Sequence, residues 1–453
     1  MGKWNKRLVF AKQILKRLNS TRVKLFIVVL GIYLYFISGF HSANEWSRHS
    51  LIQAIVEEQT FVIDGYVKDW RDVSYYNGHY YSDKPPGLSF VGVPIYFTAK
   101  FLIEWWRIRY LLISLIAIVS ALSVILVYEI SGFLGGNKTS KLLTALTYAF
   151  GTITWVYSKT FFAHGFSAFL ILLSIYCARL FIQENKKTFI FLSGVAMGYS
   201  FLVEYPNLLL LVPFLFYFIF YNTKKEIIYF SVPVALFLMI LGIYHYVCFE
   251  SPFITPYISH TSEGNMQGIS TFSNPVHIGL YGLLFSPYRG LFYLSPILLL
   301  SPFGFFSLYK KYKPETVLFL SSFIIINLFY SVFIHWHGGA CYGPRYLLNV
   351  IPVFTLPLFQ VIEKYKDQRR FFVLFFILMG YSIFANAMGV LADYHVDQGI
   401  ENPLLHNLMY LLNGGGIDSR LFFISPLTIL FPIVLILICI VPTVVRRLHA
   451  KRN

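Results

Sequence analysis

Long apolar runs govern what this chain can become. They return repeatedly from Val23 to Val445, and each is long enough to cross a hydrocarbon core of about 30 Å. Inside lipid a backbone must satisfy its own hydrogen bonds, which a run of this length does as a helix. Only 13% of the 453 residues are charged, against about a quarter in an ordinary soluble protein. The chain therefore reads as an all-α polytopic membrane protein, one transmembrane domain over 1–453. Its formal charge of +16 does not indicate nucleic acid, because membrane proteins hold Lys and Arg in their cytoplasmic loops. Four scattered cysteines, Cys177, Cys248, Cys341 and Cys439, form no CxxC pair and no disulfide framework. The first run follows a basic arm with no small-residue cleavage site behind it, so it reads as a retained helix rather than a signal peptide.

The stretch YYSDKPPGLSF over 80–90 decides the topology. If the apolar segment Leu88 to Trp105 crossed the membrane, the basic loops NKTSK, ENKK, NTKKE, YKKYK and EKYKDQRR and the tail RRLHAKRN would all face outward. That inverts the positive-inside rule. Laid along the outer surface instead, the segment leaves about 12 transmembrane helices, near 23–41, 108–130, 142–160, 162–182, 188–204, 207–222, 227–249, 290–309, 315–334, 346–362, 371–391 and 421–445. Both termini are then cytoplasmic, and 25 of the 37 Lys and Arg fall on the cytoplasmic side. Pro85, Pro86, Pro94, Lys100 and Glu104 also suit an interfacial segment better than a span. The extracytoplasmic regions expected are a large first loop over 42–107 with interfacial helices, loops over 250–289 and 392–420, a tight corner around His164, and HWHGGACYGPR over 335–345. The cytoplasmic loops are short turns, so chemistry is expected outside.

The first loop concentrates acid. Within it EWSRHSLIQAIVEE spaces Trp46, Leu51 and Ile55 as an amphipathic helix at the interface. Glu45 stands at its start, where a carboxylate favours a helix N-terminus; it is either a cap or a reactive group. Lys84, held extended by the prolines after it, suits an anionic phosphate head group or simply snorkels to lipid. Arg345 begins a helix at the outer side, where a guanidinium can grip phosphate with two hydrogen bonds. His335 and His337 could ligate a metal, but a pair without a nearby acid falls short of the three or four ligands of a structural site. His164, Arg289 and Glu204 face the same side. Acids in the first loop and bases in later ones are what a transferase acting on a phosphate-linked lipid needs: a carboxylate to take a proton and cations to hold a leaving phosphate.

NEWSRHSLIQAIVEEQTFVID, DGYVKDWRDVSYYNGHYYSDKPPGLS and HWHGGACYGPRYLLNVIP together resemble the GT-C superfamily of integral-membrane glycosyltransferases. Within it they are most similar to the family 39-like group, which includes protein O-mannosyltransferases and lipid A aminoarabinose transferases. The resemblance implies a polyprenyl-phosphate-linked sugar donor, used on the extracytoplasmic face of the cell membrane, and an extracytoplasmic acceptor: lipid, glycan or protein. Members carry an essential Asp just after the first span, often in a DE pair; here the place reads Asn44-Glu45, one methylene longer. The resemblance thus implies Glu45 as general base, with Asp83 or Asp64 as alternatives. Lys84 and Arg345 would bind donor phosphate, and Arg289, His335 and His337 are weaker candidates. No resident cofactor is certain, and a divalent metal is compatible with the chemistry. The competing reading is a transporter or flippase of a lipid-linked or anionic solute, which would show charges buried mid-span and discontinuous helices in two matched halves.

Overall fold

The computed structural model describes residues 20–259 and 269–416. The expected span at 421–445 and parts of the 250–289 and 392–420 loops lie outside the described residues. Among the described residues, five helices are long and apolar enough to cross a membrane: Arg107–Phe133, Ala163–Glu184, Ile227–Phe249, Lys313–Val332 and Arg369–Leu391. The other described runs form shorter or broken helices, which the sequence reading expected to be continuous. The run at 290–309 breaks into Leu291–Leu294, Pro296–Leu300 and Ser301–Lys311, and that at 346–362 into Arg345–Leu347, Ile351–Thr355 and Leu358–Lys364. Pro296, Pro352 and Pro357 lie at these joints, where a missing N–H and a ring clash end the helix before them.

The helices run between two ends of one bundle. At one end Arg22 pairs with Glu129 at 2.5 Å. Asn137 caps the helix Lys138–Phe150 through Thr139 and Ser140, and its own amide groups reach the Glu363 carboxylate at 2.6 and 2.8 Å. Arg179 and Tyr221 meet Glu315 there. The basic loops therefore gather at this end. At the other end lie the first loop, the 159–164 corner, Glu204, the 286–290 and 335–345 turns and the 392–402 segment.

The first loop leaves and rejoins the bundle at that second end. The helix Gly87–Ala99 spans only 13 residues, about 20 Å at 1.5 Å per residue. It begins beside Tyr199, whose hydroxyl donates to the Gly87 carbonyl at 2.8 Å. It ends at Lys100, paired with Glu57 of the same loop at 2.9 Å. Arg109, at the start of the next long helix, lies against Gly39 at the loop's other foot. The helix Ala43–Gln53 is covered on nearly every side: all its residues but Trp46 and Gln53 are buried, so it lies beneath the loop rather than floating on its surface. A two-stranded antiparallel hairpin, Val73–Tyr76 with His79–Ser82, closes over it in the register Val73↔Ser82 to Tyr76↔His79. Its turn uses Asn77 and Gly78, both with positive φ (47° and 87°), which these two residues adopt readily.

The core is made of close helix contacts rather than of the burial of one polar-backed face. Lys187–Val203 lies between Ala163–Glu184 and Ile227–Phe249. A side chain at Gly194 would overlap the Phe230 carbonyl, and one at Gly198 would meet Phe237, Pro233 and Val234. Small residues permit this approach where lipid removes the hydrophobic drive for association. On the opposite face of Ile227–Phe249, Val232 and Ile243 stay 54% and 55% exposed, a stripe that suits lipid. Gly194→Val should lower stability by about 1–3 kcal/mol, read as an earlier thermal melt of the solubilised protein, whereas Val232→Leu on the bare face should leave the melt unchanged.

Candidate functional site

Lys84 is delivered by the second strand of the hairpin, which ends at Ser82. Its Nζ lies 2.6 Å from Asp83 Oδ2 and 3.2 Å from Asp72 Oδ2, with the side chain only 12% exposed. Asp83 is fully buried, and its other oxygen accepts from Ser47 Oγ at 3.2 Å. Burial disfavours the ammonium, but the Asp72 and Asp83 carboxylates outweigh it and hold the Lys84 pKa above the ordinary lysine value. The opening Asp-Lys pair is thus a compensated charge at the edge of a buried cluster.

Arg48, on the helix Ala43–Gln53, reaches under this pair. Its Nη1 donates to the Pro85 carbonyl at 3.0 Å and its Nε to Asn44 Oδ1 at 3.2 Å. Its Nη2 faces Glu204 Oε1 at 3.9 Å, and His164 Nδ1 approaches the same oxygen to 3.3 Å. Arg345 completes the group. Its guanidinium carbon sits 5.1 Å from the Phe162 ring centre and 5.4 Å from that of Tyr346, and its Nε has no hydrogen-bond partner among the described residues. Burial opposes the charge, but Tyr346, Cys341, Tyr157 and Asp72 outweigh it and raise the Arg345 pKa. Tyr346 and Glu204 each lie in the fields of both Arg345 and Lys84, so the two cations expected to act together do share one cluster. Arg345 follows a turn in which Gly338, Gly339 and Gly343 all have positive φ, conformations that glycine adopts without strain.

Glu45 sits beside this cluster. Its Oε2 accepts from the His41 and Ser42 amides at 2.8 and 3.2 Å, from Ser42 Oγ at 3.4 Å and from the Tyr394 hydroxyl. Its Oε1 accepts from the Phe161 amide at 2.9 Å. Burial pushes its pKa above the usual carboxylate value, against the lowering pull of Tyr394, Phe161 and His41. The corner runs on from Phe161 to Phe162 under Arg345 and to His164 at Glu204, so Glu45 and the cations share one short stretch of chain.

Other candidates stand elsewhere. Asp64 pins the hairpin, accepting from the Tyr80 amide at 2.6 Å and bonding His79 Nδ1 at 2.8 Å. Arg289 is fully buried and donates to the carbonyls of His337, Tyr288 and Gly339 at 3.0, 3.0 and 2.9 Å, which braces the 335–345 turn. His335 and His337 have ring centres 6.1 Å apart, and burial lowers the His337 pKa to about 4. Among the described residues no three His, Cys, Asp or Glu come together as metal ligands. A groove lined by Phe303, Lys310, Lys364 and Tyr365 belongs to the opposite, basic end.

The sequence reading does not name Arg48 as a site residue, although it stands three residues after Glu45 on one helix face. It passed over Tyr394 altogether, whose role depends on a contact across most of the chain. Glu204 was visible as an acid at a helix end within an apolar region.

A family model described as dolichyl-phosphate-mannose-protein mannosyltransferase matches residues 96–245, about a third of the chain. The stretch holds His164 and Glu204 but not Glu45, Lys84 or Arg345. No curated protein matches the sequence significantly. Among solved structures, the chain is similar to ArnT from Cupriavidus metallidurans bound to undecaprenyl phosphate, at 14% identity and a TM-score of 0.50, covering 95% of this chain and 72% of that one. It is also similar to the archaeal oligosaccharyltransferase AglB from Archaeoglobus fulgidus in complex with an inhibitory peptide and a dolichol-phosphate. There the identity is 12% and the TM-score 0.52, covering 88% of this chain and 60% of AglB. The chain is a polytopic membrane protein of GT-C fold. That fold agrees with the GT-C resemblance read from the first-loop and YGPR motifs.

Arg289→Ala would leave three part-buried carbonyls without their donor. It should lower stability by about 3 kcal/mol, seen as a depressed melting temperature, and Arg289→Lys should recover only part of that loss.

Proposed function

We propose that the protein is an integral-membrane glycosyltransferase that moves a sugar from a polyprenyl-phosphate-linked donor to an acceptor on the extracytoplasmic face of the cell membrane. The observation that carries this reading is the convergence of Arg48, Lys84 and Arg345 at the end of a GT-C bundle opposite its basic loops. In this reading Lys84 and Arg345 hold the donor phosphate, and the cations stabilise the charge that grows on it as the sugar leaves. The prenyl tail lies along the apolar helix faces beside the loop. The likeness to proteins solved with undecaprenyl phosphate and dolichol-phosphate supports the donor class.

Glu45 acts as general base. The acceptor hydroxyl takes the place of the Tyr394 hydroxyl, a side-chain donor that reaches this carboxylate from a distant part of the chain, while the backbone amides keep Glu45 in position. The acceptor oxygen then bonds to the anomeric carbon, its proton passes to Glu45, and the carbon–phosphate oxygen bond breaks with its electron pair on the phosphate. A pKa raised by burial makes the carboxylate a stronger base than an exposed one. Asp83 is the alternative, although Lys84 and Ser47 already occupy it. Asp64 pins the outer hairpin through His79 and Tyr80 and is the weakest of the three. Broken helices alone would also suit a transporter, but these charges sit at one end of the bundle rather than mid-span.

Transfer of labelled sugar in membranes tests the assignment. Glu45→Gln should lose about 10²- to 10⁴-fold in rate. Lys84→Ala should raise the donor concentration needed and slow transfer, whereas Tyr394→Phe should stay active. Full activity in both Glu45→Gln and Lys84→Ala would remove the proposed roles.

A further inference from the structure

Glu204 is held unlike any other acid of the cluster. It stands where the helix Lys187–Val203 gives way to the tight turn Tyr205–Leu210, with extended backbone angles (φ −150°, ψ 116°) that turn its side chain off the helix. The residue is 8% exposed. Asp83 and Asp72 both bind Lys84 directly, and Glu45 is enclosed by donors on both oxygens. Glu204 instead has Arg48 Nη2 at 3.9 Å and His164 Nδ1 at 3.3 Å, and its carboxylate also lies in the fields of Arg345 and Lys84. Two of the Arg48 nitrogens are taken by Asn44 and Pro85, so the one turned to Glu204 is loosely engaged. An oxyanion set loosely beside Arg48, within the fields of Lys84 and Arg345, occupies a place that an incoming phosphate would seek.

We propose that Glu204 is an internal counter-ion that competes with the phosphate of the lipid carrier for Arg48, Lys84 and Arg345, and so sets how tightly the spent carrier is held. This rests on the lipid-phosphate reading of the site. The donor is a phosphodiester with one negative charge. Breakage of the sugar–phosphate bond leaves a monoester that carries about −1.5 to −2 near neutral pH. Cations arranged to stabilise that charge as it forms would also retain the product. A fixed carboxylate among them offsets the extra attraction and favours release. Glu204 is in this sense a positioning residue, acting through the cations rather than on the sugar.

The sign of one measurement separates this role from simple support of Arg48. The full chain in nanodiscs is titrated with undecaprenyl phosphate. Glu204→Gln keeps the size of the side chain and removes its charge, and should bind about five- to tenfold tighter than wild type. Glu204→Asp keeps the charge but draws it back by one methylene, and should tighten binding less; it also serves if the glutamine variant does not fold. Unchanged or weaker binding in a folded variant overturns the proposal, because a carboxylate that only braces Arg48 would give that result. Lys84→Ala tests the underlying reading separately. If it binds undecaprenyl phosphate as wild type does, the lipid-phosphate site itself is wrong and the counter-ion role falls with it. If it loses binding while Glu204→Gln does not gain it, only the role of Glu204 is wrong.

Discussion

A carboxylate taken out of water must be met by donors, and at Glu45 that requirement ties three distant parts of the chain together. The His41 and Ser42 amides come from the foot of the first helix, the Phe161 amide from a corner between two long helices, and the Tyr394 hydroxyl from the segment after the helix Arg369–Leu391. This knot fixes the start of the helix Ala43–Gln53. From that helix Ser47 reaches Asp83 and Arg48 reaches Pro85 and Glu204. The hairpin that carries Lys84 closes over the same helix. The positions of all the cluster's first-loop charges therefore descend from one buried acid.

The division of the bundle into two ends gives these charges their setting. Helix capping and the Glu363 and Glu315 contacts organise one end, while aromatic rings line the other. Arg345 lies against Phe162 and Tyr346, and Tyr346 in turn stacks on Tyr330 with ring centres 4.3 Å apart. Such rings hold a guanidinium without neutralising it. That leaves it able to meet a phosphate, while the close glycine contacts between helices keep the platform from shifting.

Much of this was legible in the sequence, because hydrophobic run length and loop charge are one-dimensional signals. The helical membrane class, the grouping of loops and the placing of Lys84 and Arg345 at one end of the bundle could be read directly. The broken helices were less legible: Pro296, Pro352 and Pro357 are visible, but whether a proline kinks or stops a helix depends on its neighbours. Arg289 was misleading for a related reason. A conspicuous arginine in SPYRG looks like an anion ligand, and only the fold shows three carbonyls around it. Glu45 illustrates the deepest limit. Its position after the first run marks it as a cap or a reactive group, yet the donors from Phe161 and Tyr394 arrive through folding alone.

The three cations Arg48, Lys84 and Arg345 and the three carboxylates that face them, Asp72, Asp83 and Glu204, stand in numerical parity, with Glu45 beside them held by neutral donors. Such a cluster can settle in a bilayer without a borrowed anion. Parity also constrains how such a cluster drifts over generations. Losing any one member leaves an odd charge stranded in a poorly hydrated place, so tolerated changes should arise as matched pairs of opposite sign, or as exchanges of sign between neighbours.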